Sequence, residues 1–596
     1  MNNNKNLIIA FALSALVLFG WQWFVAMPQM KAEQARQTAL ARQEKPKSSA
    51  AAPGANLGLP AGGDAHMSRE AALAAEGARV AIDTPMVDGS IALKGARLDD
   101  LRLKAYHETP DPKSPEIVLL APKSTDYPYY AEFGWVGGGK INVPNDQTVW
   151  RQISGDALSP GHPVTLSWDN GQGLIFTRIV SIDDKYMFSV EDGVANKTGH
   201  AATLFPFAYV AREGVPKVTT SYILHLGFVG VASGSEVDAK YDDFKDPSTP
   251  PKSFSSTGGW VGITDKYWMA AVIPPQNEVY NGAYLGSDIN PGTKAYQANY
   301  RLSARDIAPG ATATVTHKLF AGAKVVDILR GYERDQNVAR FDNAVDWGWF
   351  WFITQPLFWL LDQYSKLIGN FGLAILMLTV TVKLLFFPLA NTSFKSMSKM
   401  KKVQPEMERL KKVHKDDPQK QQVAIMEMYK REKINPLAGC LPMLIQIPVF
   451  FSLYKVLYVT IEMRQAPFYG WIHDLSAPDP TSIINLFGLL PFDPHAWLPG
   501  FLAILSIGAW PIFMGMTQFV QTKLNPPPPD PMQARMFALM PLIFTFMFAT
   551  FPAGLVIYYT WNNLLTVAQQ WYIMRKEGVE IHLFENFKRG KARSRA

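Results

Sequence analysis

Long uncharged runs in the second half of the chain constrain its fold more than any other feature. Ile434 to Tyr454 is 21 residues without a charge, Pro494 to Thr522 is 29, and Met536 to Met574 is 39. A helix needs ~20 apolar residues to cross a hydrocarbon core of ~30 Å. The run from Leu367 to Phe394 has the same character except for one residue, Lys383. A further run, Leu7 to Met27, is 21 residues and ends in Trp21, Trp23 and Phe24. It is longer than the hydrophobic segment of a secretory signal and ends in an interfacial aromatic belt, which favours an uncleaved anchor. FPAG at 551–554 supplies a turn within the 39-residue run. The expectation is six membrane spans.

Between these regions the texture changes. KPKSSAAAPGANLGLPAGG lacks the apolar residues for a core and reads as a flexible linker. From about Arg79 to Ala321, pieces such as VTLSW, LIFTRIVSI, KYMFSV and ATATVTHKLF alternate with Gly, Pro, Asn and Asp. That spacing predicts an all-β sandwich. DWGWFWFITQPLFW, residues 346–359, carries seven aromatic residues between Trp347 and Trp359, and reads as an interfacial helix rather than a span.

Orientation follows from lysine and arginine in the short connections. Residues 391–436 hold twelve and residues 574–596 hold seven, whereas Glu462 to Asp493 holds only Arg464. The basic segments, and by parity the N-terminus, are therefore expected in the cytoplasm and the β domain outside. Five basic residues between Lys31 and Lys47 run against this assignment, but long translocated domains escape the rule. The single cysteine, Cys440, excludes an intrachain disulfide framework and lies in an apolar run, where inert packing is its expected role.

The predicted segments are an anchor (1–27), a linker (28–78), the β domain (79–323) and connecting and interfacial helices (324–364). Then follow a span (365–390), a cytoplasmic helical hairpin (391–436), a span (437–461), an outer loop (462–495) and a span (496–522). A cytoplasmic loop (523–534), two spans (535–573) and a basic tail (574–596) complete the chain.

Lys383 lies eight residues before Asn391, or ~12 Å along a helix. A lysine at the bilayer centre costs ~2.5–3.5 kcal/mol on insertion scales, so such residues face a cavity or a partner. No acidic residue lies within the uncharged runs. Three roles are open: a wet cavity, snorkelling toward water, and a structural hydrogen bond. The polar residues on the spans, Thr379, Gln446, Thr517, Gln518, Tyr559, Thr560, Asn562 and Asn563, favour a polar groove with a positive charge at its base. Lys455, at the outer end of its run near Glu462, is expected to snorkel.

In the basic hairpin, Met397, Met400, Val403, Met407, Leu410 and Val413 recur at spacings of three and four, a helical stripe. DDP at 416–418 breaks it, and QKQQVAIMEMYKREK, with Met426 and Met428, resumes a helix. The methionines either pack the two helices together or also receive apolar segments of a partner. The tail FKRGKARSRA carries a charge suited to anionic lipid or ribosomal RNA, or serves only as a topology signal.

WFITQPLF, NPLAGCLPMLIQIPVFFSLY, RQAPFYGWIHDLSAPDP, DPMQARMFALMPLIFTFMF and FPAGLVIYYTWNNLLTVAQQ occur in that order. Residues 340–575 thereby resemble the YidC/Oxa/Alb family of membrane protein insertases. GGWVGITDKYWMAAVIPP resembles its Gram-negative branch. The resemblance implies an α-helical membrane bundle with five core helices and a large periplasmic β-supersandwich, in a multi-pass inner-membrane protein. It also implies a hydrophilic groove that receives polar parts of nascent membrane proteins, alone or beside the Sec translocon, with the ribosome as a further partner and a monomer as the working form.

The family's groove arginine falls on Lys383, and its paired tyrosines on Tyr558 and Tyr559. Lysine keeps the charge but loses the guanidinium fork, so a point-charge role is retained and bidentate pairing is not. No nucleotide-binding, nucleophile-elbow or zinc spacing is present, so no cofactor and no enzymatic reaction are expected. The rivals are a small-anion transporter using Lys383 as its substrate site, and an anchored periplasmic carbohydrate enzyme. The first lacks internal repeats and the second lacks catalytic spacing between residues 80 and 330.

Overall fold

The computed structural model describes residues 67–579 except 139–140, 217–223, 247, 291–292, 416, 433, 435–440, 491–505 and 526–530. The anchor, most of the linker and the basic tail from residue 580 lie outside the described residues. Two compact units are present, one containing residues 399–436 and the other containing both the β domain and the remaining helices.

Strands of residues 79–323 form two ten-stranded antiparallel sheets. One runs from Arg79–Asp83 through Arg97–His107, Tyr129–Gly137, Ala202–Glu213 and Thr293–Leu302 to Lys252–Thr257. The other runs from Gly227–Ala232 through Gly259–Thr264, Trp268–Ile273, Thr312–Ala323, Met187–Asn196 and Leu174–Ile182 to Arg151–Ser154. Side chains alternate across a strand, and Leu174–Ile182 follows the rule at every position. That register turns Arg178 inward with Leu174, Phe176, Val180 and Ile182.

Burial of a guanidinium requires that its donors be satisfied. Arg178 Nε and Nη2 donate to the Asp192 carboxylate at 2.6 and 2.9 Å. Its Nη1 donates to the Ala96 carbonyl at 3.0 Å, and Nη2 also to Phe133 at 2.7 Å. Phe133 belongs to the opposite sheet, so a single side chain ties the two layers together. Tyr129 repeats the device, donating to Ile263 O at 2.7 Å and accepting from Ala270 N at 2.9 Å across the sandwich.

The described helices are α1 (Arg69–Ala75), α2 (Val326–Gln336), α3 (Trp351–Ile368), α4 (Phe371–Leu385), α5 (Phe387–Lys402) and α6 (Gln404–Val413). Then follow α7 (Pro418–Arg431), α8 (Leu441–Val459), α9 (Ala509–Leu524), α10 (Pro531–Phe548) and α11 (Ala553–Lys576). No single described helix is long and apolar enough to cross a membrane; α4 and α5 are so together, but they are bent by 68°.

Several boundaries differ from the sequence expectation. The aromatic helix α3 extends to Ile368, where Gly369 takes a left-handed φ of 73° and Asn370 caps α4 by accepting from Leu373 N at 3.0 Å. Trp351, Phe352 and Trp359 of α3 are exposed while Thr354, Phe358 and Leu361 are buried. The methionine stripe expected as one helix from residue 392 to 415 is divided at Val403, with Pro405 in the first turn of α6. Proline lacks the N–H that a continuous helix would use there.

The β domain and the helices share a clasp. Arg464 Nη2 and Gln465 Nε2 both donate to the His107 carbonyl, at 2.5 and 3.0 Å. The Lys266 ammonium lies 4.1 Å from the Tyr458 ring centroid, a cation–π contact. Val325, which precedes α2, offers no side-chain cap, and Glu462 supplies the acceptor instead, receiving Val326 N at 3.3 Å. Burial pushes the Glu462 carboxyl up to about 7, and the nearby Asp362 and Asp327 carboxylates add to the shift. Lys366 bridges those two aspartates at 2.7 and 2.8 Å.

Removing one partner of a buried pair leaves an uncompensated charge, so Asp192→Ala is expected to cost ~3–5 kcal/mol. The double variant Arg178→Met/Asp192→Leu should cost less, because no unpaired charge remains; thermal unfolding in detergent compares the two. Glu462 binds its proton more tightly folded than unfolded, so the stability it contributes is full below its ordinary value near 4.5 and is lost as pH rises through about 7. Glu462→Gln should therefore gain less on acidification from pH 8 to pH 5 than the parent protein, in paired melts at both pH values.

Candidate functional site

Helix α11 carries a polar stripe inside an otherwise apolar bundle. Asn562, Asn563, Thr566 and Gln570 are all buried on it. Residues three and four apart share a helical face, so these four form one continuous line. Each finds a side-chain partner outside α11, as buried amides and hydroxyls must.

Lys383 of α4 donates from Nζ to Thr566 Oγ1 at 2.7 Å. Thr566 spends its own proton on the Asn562 carbonyl at 2.6 Å, which leaves its lone pairs facing the ammonium. Asn562 Oδ1 accepts from Gln446 Nε2 of α8 at 3.3 Å. Asn563 Nδ2 donates to Gln518 Oε1 at 3.0 Å and to Thr517 Oγ1 at 3.3 Å, both on α9. Farther along, Gln570 Nε2 donates to Asn525 Oδ1 at 3.0 Å. Among the described residues no carboxylate lies within 4.0 Å of the Lys383 ammonium, which is a cation served by a neutral oxygen.

Two measures of depth disagree. The 68° bend after Leu385 turns residues 387–391 away from the α4 axis. Along that axis Lys383 then lies ~7 Å from the level of Asn391, not the ~12 Å of a straight helix. Along α11, however, Thr566 is nine residues before the first basic residue, Arg575, or ~13 Å. The α11 measure describes the ammonium better, because Nζ is bonded to Thr566 itself.

The remaining expected groove residues are arranged differently. Thr379 is buried, and its hydroxyl donates to Ile375 O of its own helix at 2.7 Å. Tyr558 is buried, and Tyr559 packs its ring against Phe450 and Phe548 at 5.0 and 4.7 Å between centroids. The structure therefore brings Lys383, Gln446, Gln518 and Asn562 into the seam along α11, whereas Thr379 bonds its own helix and the Tyr559 ring packs among aromatic side chains. Thr566, Gln570 and Asn525 join the seam without having been anticipated. The four-residue spacing of Asn562, Thr566 and Gln570 was the available signal.

Lys455 does not snorkel. Its stem and head are buried, and Nζ pairs with Asp346 at 2.5 Å. A carboxylate 109 residues away supplies the countercharge that a local reading of the run did not contain.

In the hairpin unit, Met407, Met428, Tyr429 and Ile434 form a small core, with Met400, Val403, Leu410 and Ile425 packed on it. Asp417 caps α7 by accepting from Gln419 N and Lys420 N at 3.1 and 3.0 Å. Met426 is exposed along with Val413 and Val423, whereas Met397 lies on α5 and is half-buried. Three of the five methionines, Met400, Met407 and Met428, thus hold the helices together, and Met426 faces solvent.

A model of the YidC periplasmic domain matches residues 79–360, and one described as 60Kd inner membrane protein matches residues 363–579. The membrane protein insertase YidC of Methylorubrum extorquens is 52% identical, with 99% of this chain and 98% of that protein aligned. The membrane protein insertase YidC of Bradyrhizobium diazoefficiens is 49% identical, with 100% and 99% aligned. The chain belongs to the YidC family. Among solved structures, a crystal structure of an active YidC insertase with its first transmembrane domain resolved is 18% identical and has a TM-score of 0.35. It covers 83% of this chain and 92% of that one. Family membership spans both the sandwich and the helices that carry the seam.

A hydrogen bond to a charged group is worth ~1.5–3 kcal/mol. Thr566→Val removes the Lys383 acceptor at nearly constant shape, so it should lose stability by that amount in detergent melts. Thr566→Ser should recover most of it, and in a Lys383→Met background the valine substitution should cost little.

Proposed function

We propose that this protein inserts nascent membrane proteins into the inner membrane, and that the seam around Lys383 lowers the cost of carrying their polar segments across. The observation that supports this reading is a lysine ammonium set among apolar helices with a threonine hydroxyl as its partner. Such a cation has no countercharge among the described residues and offers two further N–H donors to an incoming carboxylate. The family to which the chain belongs supports it as well.

Six spans follow from combining the runs with the helices. They are Leu7 to Met27, α4 with the start of α5, α8, the run ending in α9, α10 and α11. The twelve basic residues of the hairpin segment and the seven of the tail support a cytoplasmic side for these and both termini, with the sandwich in the periplasm. The segment to be translocated enters the seam from the cytoplasmic side while its apolar spans partition into lipid beside it. Lys383 acts as a point charge on acidic side chains, and the amides of Gln446, Gln518, Asn562 and Asn563 exchange partners with the polar backbone. The transfer is between phases and makes no covalent bond. Membrane potential adds ~2.3 kcal/mol per charge per 100 mV for acidic groups moving outward. The basic hairpin and tail serve the ribosome and anionic lipid, the Sec translocon is a partner for larger substrates, and the protein works as a monomer.

Purified protein in liposomes, with a single-span substrate made by a ribosome-only translation system, tests this reading. Protease-protected substrate should require the protein. Lys383→Arg should retain protection. Lys383→Glu should reduce it on the order of tenfold, the factor that ~1.4 kcal/mol represents, for substrates with acidic translocated segments. Substrates with neutral segments should be affected far less. Equal protection by the glutamate variant for acidic and neutral segments would remove the charge from the mechanism.

A further inference from the structure

Among the described residues, Thr566 Oγ1 is the only hydrogen-bond acceptor of the Lys383 ammonium. A helical threonine can turn its hydroxyl back onto the carbonyl four residues earlier. Thr566 does so, donating to Asn562 O at 2.6 Å. With that proton spent the hydroxyl can only accept, and Lys383 Nζ lies 2.7 Å from it. Neither hydroxyl of α4 takes its place, because Thr379 and Thr381 bond to Ile375 O and Met377 O of their own helix at 2.7 and 3.1 Å.

A lysine stem is long enough to change the level of its own charge. The bend after Leu385 brings Lys383 within ~7 Å of the level of Asn391 along α4, whereas Thr566 lies ~13 Å from Arg575 along α11. A four-carbon stem covers the ~6 Å between these two depths, so the backbone of Lys383 permits a shallow and a deep position for one charge. Water favours the shallow one, as it does for any lysine near the end of a span. The bond to Thr566 selects the deep one.

We infer that Thr566 is the positioning residue of Lys383. Its hydroxyl holds the ammonium at the deeper level, where a less polar surrounding strengthens the attraction of a carboxylate. It thereby sets how far the protein favours acidic over neutral translocated segments. This inference rests on the proposed reading of Lys383 as the charge that acidic segments meet. A hydroxyl that merely satisfied a buried donor would, on removal, weaken insertion of every substrate alike.

The test gives the full-length protein in liposomes two single-span substrates that differ only by aspartate or asparagine in the translocated segment. The ratio of protease-protected acidic to neutral product is compared among variants. Lys383→Met should lower this ratio, Thr566→Val should lower it to the same value, and Thr566→Ser should keep the parent ratio. In the Lys383→Met background, Thr566→Val should lower it no further. The level of the ammonium is read separately, by acetylation with a water-soluble reagent and mass spectrometry of the peptide that contains Lys383. The acetylated fraction should rise several-fold in Thr566→Val and stay at the parent level in Thr566→Ser. Lys455, buried against Asp346, reports on folding. If Lys455 becomes acetylated in the valine variant, Thr566→Ala takes its place. A folded Thr566 variant that keeps either the parent ratio or the parent acetylation would overturn the positioning role, and equal loss of both substrates is one such result. A further fall of the ratio in the Lys383→Met background would overturn it as well, because Thr566 would then act without the lysine. A ratio that Lys383→Met leaves unchanged would overturn the charge mechanism itself, and the positioning role with it.

Discussion

An ammonium group held among apolar helices needs an oxygen, and Thr566 provides it. The helices around the seam are arranged so that this single contact is possible. Helix α11 lines up Asn562, Asn563, Thr566 and Gln570 on one side, and α4, α8 and α9 each contribute a side chain to that line. Because buried polar groups are costly when unpaired and inexpensive when paired, the stripe specifies which faces of the helices meet. The partner of the cation is neutral, so among the described residues its charge is not cancelled by a carboxylate within 4.0 Å.

The sandwich obeys a similar constraint with a different outcome. Arg178 is fully buried, yet it is paired with Asp192 and bonded to carbonyls on the facing side of the sandwich. Its charge is spent inside the domain and makes one arrangement of two ten-stranded sheets preferable to others. Lys455 is spent likewise on Asp346. Lys383 differs from both, because its bonded partner is the neutral Thr566 hydroxyl and not a carboxylate.

The clasp connects the two halves. Arg464 and Gln465 hold a backbone carbonyl at the end of an 11-residue strand, and Glu462 caps the helix that leaves the sandwich. A carboxyl whose proton affinity is raised toward neutrality by burial makes this junction sensitive to the acidity of its compartment. The β domain is thus attached to the loop between α8 and α9, the connection that also fastens the start of α9.

The sequence by itself determined the elements. Alternation in LIFTRIVSI fixed a strand, uncharged runs fixed the helical region, and FPAG marked the turn between α10 and α11, because periodicity and turn chemistry are local. It also marked Lys383 and the polar residues of three other runs, since charge and amides are conspicuous among apolar neighbours. Tertiary structure alone decided the partners. Thr566 for Lys383, Asp346 for Lys455 and Asp192 for Arg178 lie 183, 109 and 14 residues away. It also turned Thr379 onto its own helix and packed the Tyr559 ring against Phe450 and Phe548, although both residues look available in the sequence. A one-dimensional pattern states that a side chain needs a partner, but the identity of that partner depends on which helix faces pack together.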